Sequence, residues 1–424
     1  MKKISKYIIT FMLAVFAKAV VRRYAPRVVM ITGSVGKTST KDAIAAVLKT
    51  RFFVRASEKS FNSEFGVPFT ILGVANPWDN PLSWLKVVRS TLALLLLPNH
   101  YPNMLVLEVG ADKPGDLARI LRIATPDAVV VTRLPEIPVH VEAYASPEAV
   151  REEEFSPAYA LRAAAPLIVS ADDLYAFERA HHTSARVITY GCSAAAQVNV
   201  CNIDFYEEEG KVRGMKAAVS MDGEESSCVV KGSVGRAQLL PVAAALAAAQ
   251  AFRIPLAEAV ASLESYEPPP GRGRLLAGKN GSIIIDDSYN ASPAAMEEAL
   301  ATLKSFPHAK RRVAVLGDML ELGRYSVMEH RRIAALAAES ADVIATVGIR
   351  ARAFTLDSKQ VSVLSFDCSR SGALGLSDII RDGDVVLVKG SQSVRTEHIV
   401  KALLADPADA SRLVRQEKKW EEKV

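Results

Sequence analysis

The stretch Val28-Val-Met-Ile-Thr-Gly-Ser-Val-Gly-Lys-Thr-Ser-Thr40 holds residue types that together could do chemistry. Gly33 and Gly36 permit a tight turn, Lys37 adds a positive charge, and Thr38 adds a hydroxyl where a helical apolar pattern begins, with Ser34 and Ser39 beside them. In such a turn the backbone N–H groups and the helix N-terminus face an anion. The lysine neutralises phosphate charge and the threonine hydroxyl is suited to Mg²⁺. The spacing departs from the usual phosphate loop, because Ile31 stands where G-x-x-x-x-G-K-T has glycine. Lys37 and Thr38 are expected in a solvent-facing turn, needed for ATP chemistry and of little consequence for stability.

Two further positions read as partners of this loop. Glu108 closes the apolar run Met104-Leu-Val-Leu-Glu108. A carboxylate at the carboxyl end of a strand, in a sheet that also carries a phosphate loop, is where a Mg²⁺ ligand sits. His140 follows the apolar run Ala128-Val-Val-Val-Thr132, and its type alone leaves a structural and a metal-binding role equally open.

The elements that must position these groups follow from periodicity. Short β-branched runs at 28–31, 104–108, 128–132, 167–170 and 187–190 alternate with helical patterns, which predicts a parallel sheet covered on both faces. At 197–232 apolar and polar residues alternate, so an antiparallel hairpin is expected beside that sheet. Pro268-Pro-Pro-Gly-Arg-Gly-Arg274 reads as a linker. The βα alternation then restarts, with strands expected at 282–286, 312–316, 343–347, 362–365 and 384–388. This is a second, Rossmann-like unit without a G-x-G-x-x-G. The fold class is therefore α/β, with a central phosphate-loop-like parallel sheet, an antiparallel subsheet and a C-terminal Rossmann-like domain. Expected divisions are a basic amphipathic helix at 1–24, the central ATP-binding domain at 25–274, the C-terminal domain at 275–410 and a charged, solvated tail at 411–424.

Bulk properties narrow the class. The 424 residues suffice for two or three domains, and half of them are apolar. A net charge of +5 spread along the chain suits an anionic small substrate and gives no reason to expect nucleic acid. Four cysteines without C-x-x-C spacing read as reduced thiols of a cytoplasmic protein. Lys2, Lys3 and Lys6 precede the apolar run 7–17, which is too short to span a bilayer. It reads either as a helix packed on the domain or as a basic helix lying on the inner membrane surface or on a partner protein. Residues 82–97 read as a buried helix, stopped by Pro98.

Taken together, the motifs resemble those of the Mur ligases. They are Thr32-Gly-Ser-Val-Gly-Lys-Thr-Ser39, Asn62-Ser-Glu-Phe-Gly-Val-Pro68, Glu108-Val-Gly-Ala111, Ala171-Asp-Asp173 and Gly271-Arg272. Further along stand Asp286-Asp-Ser-Tyr-Asn-Ala-Ser-Pro293, Leu316-Gly-Asp-Met-Leu-Glu-Leu-Gly323 and Lys389-Gly-Ser391. The resemblance implies ATP-driven amide formation through an acyl phosphate, adding an amino acid or D-Ala-D-Ala to a peptidoglycan-type precursor. It implies Lys37 on the phosphates, Thr38 and Glu108 on one Mg²⁺, His140 on a second, and Arg272 reaching the phosphates from the domain junction, with Arg274 as the other alignment. Asp287 and Asn290 would hold the nucleotide, and Asp318, Glu321, Lys389 and Ser391 the amine substrate, each also readable as a turn-capping group.

The departures are equally specific. Family members carry a UDP-sugar-binding domain before the phosphate loop, whereas about thirty residues precede it here. Ala237-Gln238, Arg133-Leu134 and Ser292 replace residues common in relatives, and Glu154 aligns with the lysine that relatives carbamylate. Its charge is expected to reach metal through a bound water, since its reach is about 3–4 Å shorter at roughly 1.3 Å per bond. Other readings are a folate-type glutamate addition and a non-catalytic nucleotide-binding partner protein.

Overall fold

The computed structural model describes residues 2–57, 59–77, 83–354, 361–417 and 420. Among them, β1 (Arg27–Thr32), β2 (Val54–Ala56), β3 (Met104–Glu108), β4 (Ala128–Val131), β5 (Pro166–Ser170) and β6 (Arg186–Gly191) form a parallel sheet. It continues without a break into an antiparallel meander of β7 (Val198–Glu208), β8 (Lys211–Met221) and β9 (Glu224–Lys231). The expected hairpin is thus three strands, and belongs to the same nine-stranded sheet, in the order β2-β3-β1-β4-β5-β6-β7-β8-β9.

The second sheet contains β10 (Arg274–Ala277), β11 (Ile283–Asp287), β12 (Arg311–Gly317), β13 (Val343–Val347), β14 (Ser362–Phe366) and β15 (Asp384–Lys389). Its order is β10-β11-β15-β12-β13-β14, parallel except for β10, which pairs antiparallel with β11. Five of these strands lie where the apolar runs put them. β10 begins at the end of the stretch read as linker, because Arg274 pairs across to Asp286.

The helices, in chain order, are α1 (Lys2–Tyr24), α2 (Lys37–Leu48), α3 (Gly66–Leu72), α4 (Ser83–Leu96), α5 (Asp116–Leu121), α6 (Pro147–Phe155), α7 (Leu174–Ala180), α8 (Leu239–Ala251), α9 (Leu256–Leu263), α10 (Pro293–Ser305), α11 (Ser326–Ser340), α12 (Ser369–Ser377) and α13 (Glu397–Leu403). Local chemistry fixes several starts. Ser146 caps α6 and Ser292 caps α10, each accepting from the N–H three residues on and each followed by proline at the first helical position. α8, apolar on all sides, is buried between α2 and the first sheet, as such a helix must be. On the other face, α1 and α3 help form a second apolar core with Leu13, Ala17, Val20, Val28 and Met30.

Three expectations change. α4 is not buried: Val87, Thr91 and Leu94 face inward, while Leu85, Leu92 and Leu96 are exposed, since the helix lies outermost, over α1. The segment after Arg412 is not wholly solvated: Leu413 and Val414 are buried, and Arg415 pairs with Glu397 and donates to the Ser288 and Tyr289 carbonyls. Lys418, Lys419 and residues 421–424 of the expected tail lie outside the described residues, as does Met1. The Lys37–Thr38 turn is also largely enclosed; Thr38 is only 6% exposed.

Candidate active site

β1 lies between β3 and β4, so chain connections leave it toward opposite sides of the sheet. The crevice at its carboxyl end is the point where open α/β sheets bind ligands. Gly33 and Gly36 there have φ of 117° and 90°. At Gly33 a Cβ would also collide with the Thr132 side chain, which ties the loop to the end of β4. Ser34 N–H donates to the Arg133 main-chain carbonyl at 3.0 Å, a second tie between the loop and the end of β4 that any residue at 133 would make.

Thr38 Oγ1 donates to Glu108 Oε1 at 3.2 Å, and Ser60 Oγ donates to the same oxygen at 2.5 Å. Ser60 was not singled out in the sequence, although its polar loop was. Earlier in the same loop the Ser57 carbonyl accepts from Lys41, a fully buried lysine on α2 that also pairs with Asp42 at 2.9 Å. Glu108 Oε2 is buried and has no hydrogen-bond partner among the described residues; Ser34 Oγ is in the same condition. A carboxyl oxygen left unpaired at 2% residue exposure is costly, and a hard cation beside Thr38 would satisfy it. The residues therefore fit a divalent ion bound with a polyphosphate.

The second sheet closes this crevice. Arg272 Nη2 donates to Thr38 Oγ1 at 3.1 Å, and its guanidinium lies 4.2 Å from the Tyr289 ring centroid. Arg274, the other alignment, instead donates to the Pro268 carbonyl and faces Glu267. Lys389 Nζ pairs with Asp287 at 2.7 Å and donates to the Asn290 carbonyl at 2.9 Å. Ser391 Oγ accepts from Leu320 N–H at 2.9 Å. Together with the phosphate loop, Arg272, Asp287, Tyr289, Asn290, Lys389 and Ser391, but not Arg274, line a cavity of about 1090 Å³. That exceeds the roughly 300–1,000 Å³ usual for one drug-sized ligand.

His140, in a left-handed conformation with φ of 65°, joins the halves differently from the expectation. Its Nδ1 lies 2.8 Å from Glu321 Oε2 and its Nε2 3.7 Å from Asp112. Burial opposes protonation of the imidazole, but the hydrogen bond and charge of Glu321 with the charge of Asp112 outweigh it and raise its pKa. The hydrogen bond from His140 holds Glu321 below the ordinary carboxylate range. Arg133 reaches Glu298 on α10 at 3.0 Å, a second tie across the crevice.

Two of the expected site residues, Glu154 and Asp318, lie outside the cavity lining. Glu154 is neither a surface charge nor part of the cavity lining; it is 3% exposed beneath the phosphate loop. Its Oε2 accepts from Thr32 Oγ1 at 2.8 Å and Gly33 N–H at 3.2 Å, and its Oε1 accepts from Ala111 N–H at 3.4 Å and lies 3.8 Å from Lys37 Nζ. Donors already engage both oxygens, which removes the reason to route it to metal through water. The Asp318 carboxylate accepts from Ala351 N–H at 2.7 Å and fills the space beside Gly348, the turn-capping alternative of the sequence reading. It caps that turn and does not line the cavity.

Comparison with known proteins follows the same division. Residues 31–249 match the Mur ligase middle domain and residues 271–392 the Mur ligase glutamate ligase domain. The UDP-N-acetylmuramoyl-tripeptide–D-alanyl-D-alanine ligase of Bacillus subtilis is 28% identical, over 92% of this chain and 79% of its own. That of Mycobacterium tuberculosis (strain CDC 1551 / Oshkosh) is 30% identical, over 89% and 73%. The MurF ligase of Thermotoga maritima in complex with ADP superposes with a TM-score of 0.75 at 25% identity, over 93% of this chain and 83% of the other. A folylpolyglutamate synthase of Mycobacterium tuberculosis, at 16% identity and a TM-score of 0.65, shares the fold.

Proposed function

The chain belongs to the Mur ligase family, and we propose that it joins a carboxylate of a peptidoglycan-type precursor to the amine of D-Ala-D-Ala at the expense of ATP. The observation that carries this reading is the convergence of Lys37, Thr38, Glu108 and Arg272 on one cavity that both sheets line. In this reading the acceptor carboxylate attacks the γ-phosphorus of ATP, and ADP leaves. The amine then attacks the acyl carbon, and phosphate departs with one former carboxylate oxygen. The incoming amine loses its proton to solvent or a nearby base.

The chain's part is positioning and charge neutralisation. The loop N–H groups, Lys37 and Arg272 hold the phosphates, with Gly33, Ser34, Gly36 and Ser39 shaping the cradle. Thr38 and Glu108 would hold Mg²⁺, which when bound offsets phosphate charge. Asp287 and Asn290 face the nucleotide. Lys389, Glu321 and Ser391 line the part of the cavity assigned to the amine substrate. His140 serves in this arrangement as the contact that brings Glu321 to the crevice. We place the reaction in the cytoplasm, with residues 1–24 as an attachment element for a membrane surface or a partner protein. Among the described residues no helix is long and apolar enough to cross a membrane.

ADP release measured with D-Ala-D-Ala, or with glutamate, against a panel of muramoyl-peptide and folate acceptors tests the substrate assignment. Release that requires the dipeptide and a muramoyl peptide supports it. Release driven by glutamate and a folate would replace it with the glutamate-adding reading.

A further inference from the structure

α1 does not segregate its apolar residues to one stripe, as the expected amphipathic helix would; it carries them on two opposite faces, between basic ends. Here one face is covered: Leu13, Ala17 and Val20 are fully buried against the first domain. The opposite face is open. Tyr7, Ile8, Phe11 and Val15 are 74%, 59%, 64% and 47% exposed, and at 100° per residue they fall within an arc of about 100°. α4 repeats the arrangement beside it. Leu85, Leu92 and Leu96 are exposed within an arc of about 40°, opposite the buried Val87, Thr91 and Leu94. The two helices are joined where Tyr24 OH donates to the Leu94 carbonyl at 2.7 Å.

The charge on these helices is all of one sign. α1 carries Lys2, Lys3, Lys6, Lys18, Arg22 and Arg23, α4 carries Lys86 and Arg89, and neither contains an acidic residue. Lys18 and Arg22 continue the exposed stripe of α1 and open onto a cavity of about 610 Å³, which Arg27, Arg122 and Arg162 also line. Its one acidic residue, Asp127, accepts from Val28 N–H at 2.8 Å. Those five cations have no ion-pair partner among the described residues, unlike Arg51, Arg133, Arg311 and Arg415 elsewhere in the chain.

We propose that the outer faces of α1 and α4 dock on an anionic phospholipid surface, with Lys18, Arg22, Arg27, Arg122 and Arg162 receiving a lipid phosphate. With the inner faces of both helices covered by the domain, the exposed apolar faces can enter a bilayer interface while anionic headgroups neutralise the cations beside them. A second copy of the chain is a poor occupant, because docking would set the unpaired cations of one copy against those of the other. The proposal narrows the attachment role of residues 1–24 to lipid and adds α4 and the basic cavity to it.

The test is co-sedimentation of the full chain with vesicles of phosphatidylcholine alone or with about one third phosphatidylglycerol. Binding confined to the anionic vesicles is expected. It should weaken at least tenfold in a Phe11→Ser/Leu96→Ser variant, and equally in Arg22→Glu/Arg122→Glu, with thermal unfolding unchanged because all four side chains are exposed. Inorganic phosphate should displace no more protein than chloride of equal ionic strength. Absence of binding by the intact chain overturns the proposal. So does unaltered binding of the serine variant, displacement by free phosphate, or a loss of self-association in that variant. ADP release with soluble substrates, read on the same variant, tests the ligase reading separately, since neither helix face lines the catalytic cavity.

Discussion

Replacing Glu154 by glutamine should reveal what holds the phosphate loop in place. The carboxylate now accepts from Thr32 Oγ1, Gly33 N–H and Ala111 N–H and faces the Lys37 ammonium at 3.8 Å. Glutamine keeps one acceptor oxygen, enough for Thr32 and Gly33. Its NH₂ group then confronts the Ala111 N–H and Lys37, donor against donor. One hydrogen bond to a charged group, worth about 1.5–3 kcal/mol, is lost, and the cation loses a buried partner. The sum is about 3 kcal/mol, on the order of a hundredfold in the local opening equilibrium. Denaturant unfolding of the intact chain, with and without saturating ADP and Mg²⁺, should show this loss in the free protein. The loss should shrink when phosphates take over Lys37. The Mg²⁺ concentration that gives half-maximal turnover should stay unchanged, because Glu154 does not line the metal side of the crevice. A normal stability coupled to a shifted Mg²⁺ dependence would refute this reasoning and restore the water-mediated metal role.

Other expectations follow from the same geometry. Arg272→Lys loses both the bond to Thr38 and the Tyr289 face, and should lower turnover at least tenfold in a coupled ADP assay, whereas Arg274→Lys should lie within about threefold of wild type. A larger effect at Arg274 than at Arg272 would mean that the alignment favouring Arg274 is the functional one. Asp286 is fully buried, and burial pushes its carboxyl up to about 6 from 3.8, against the bonds from Ser288. The folded state therefore holds this proton longer than the unfolded chain, and stability falls as pH rises from about 4 to 6. Two units correspond to roughly 3 kcal/mol as an upper bound. Asp286→Asn should accordingly raise denaturant stability at pH 8 and change it little at pH 4; a gain independent of pH would exclude a buried charge as its cause.

The sequence made the strands and the phosphate loop readable because both depend on local signals: β-branched runs such as Val28-Val-Met-Ile31, and glycines followed by Lys37-Thr38. Glu108 was readable for the same reason, standing at the end of such a run. What could not be read depends on contacts far along the chain. Arg151-Glu-Glu-Glu154 has the pattern of a solvated face, and only the docking of α6 against β1 buries its last carboxylate. Asp318 was placed with the substrate by its motif, yet the turn at Gly348 captures it. For α4 the leucine run 94–97 reads alike for a buried helix and for one whose leucines face outward. Residue type also gave no choice between Arg272 and Arg274; the turn set by Gly271 and Gly273, both with positive φ, decides which guanidinium enters the crevice.

The chemistry attributed to the crevice is tested most directly by oxygen transfer. With both oxygens of the acceptor carboxylate labelled with ¹⁸O, turnover with ATP and D-Ala-D-Ala should place one ¹⁸O in the released phosphate and leave one in the new amide. The Lys37→Ala protein should release neither ADP nor labelled phosphate. Phosphate free of ¹⁸O at full turnover would show that no acyl phosphate forms, and would contradict the account.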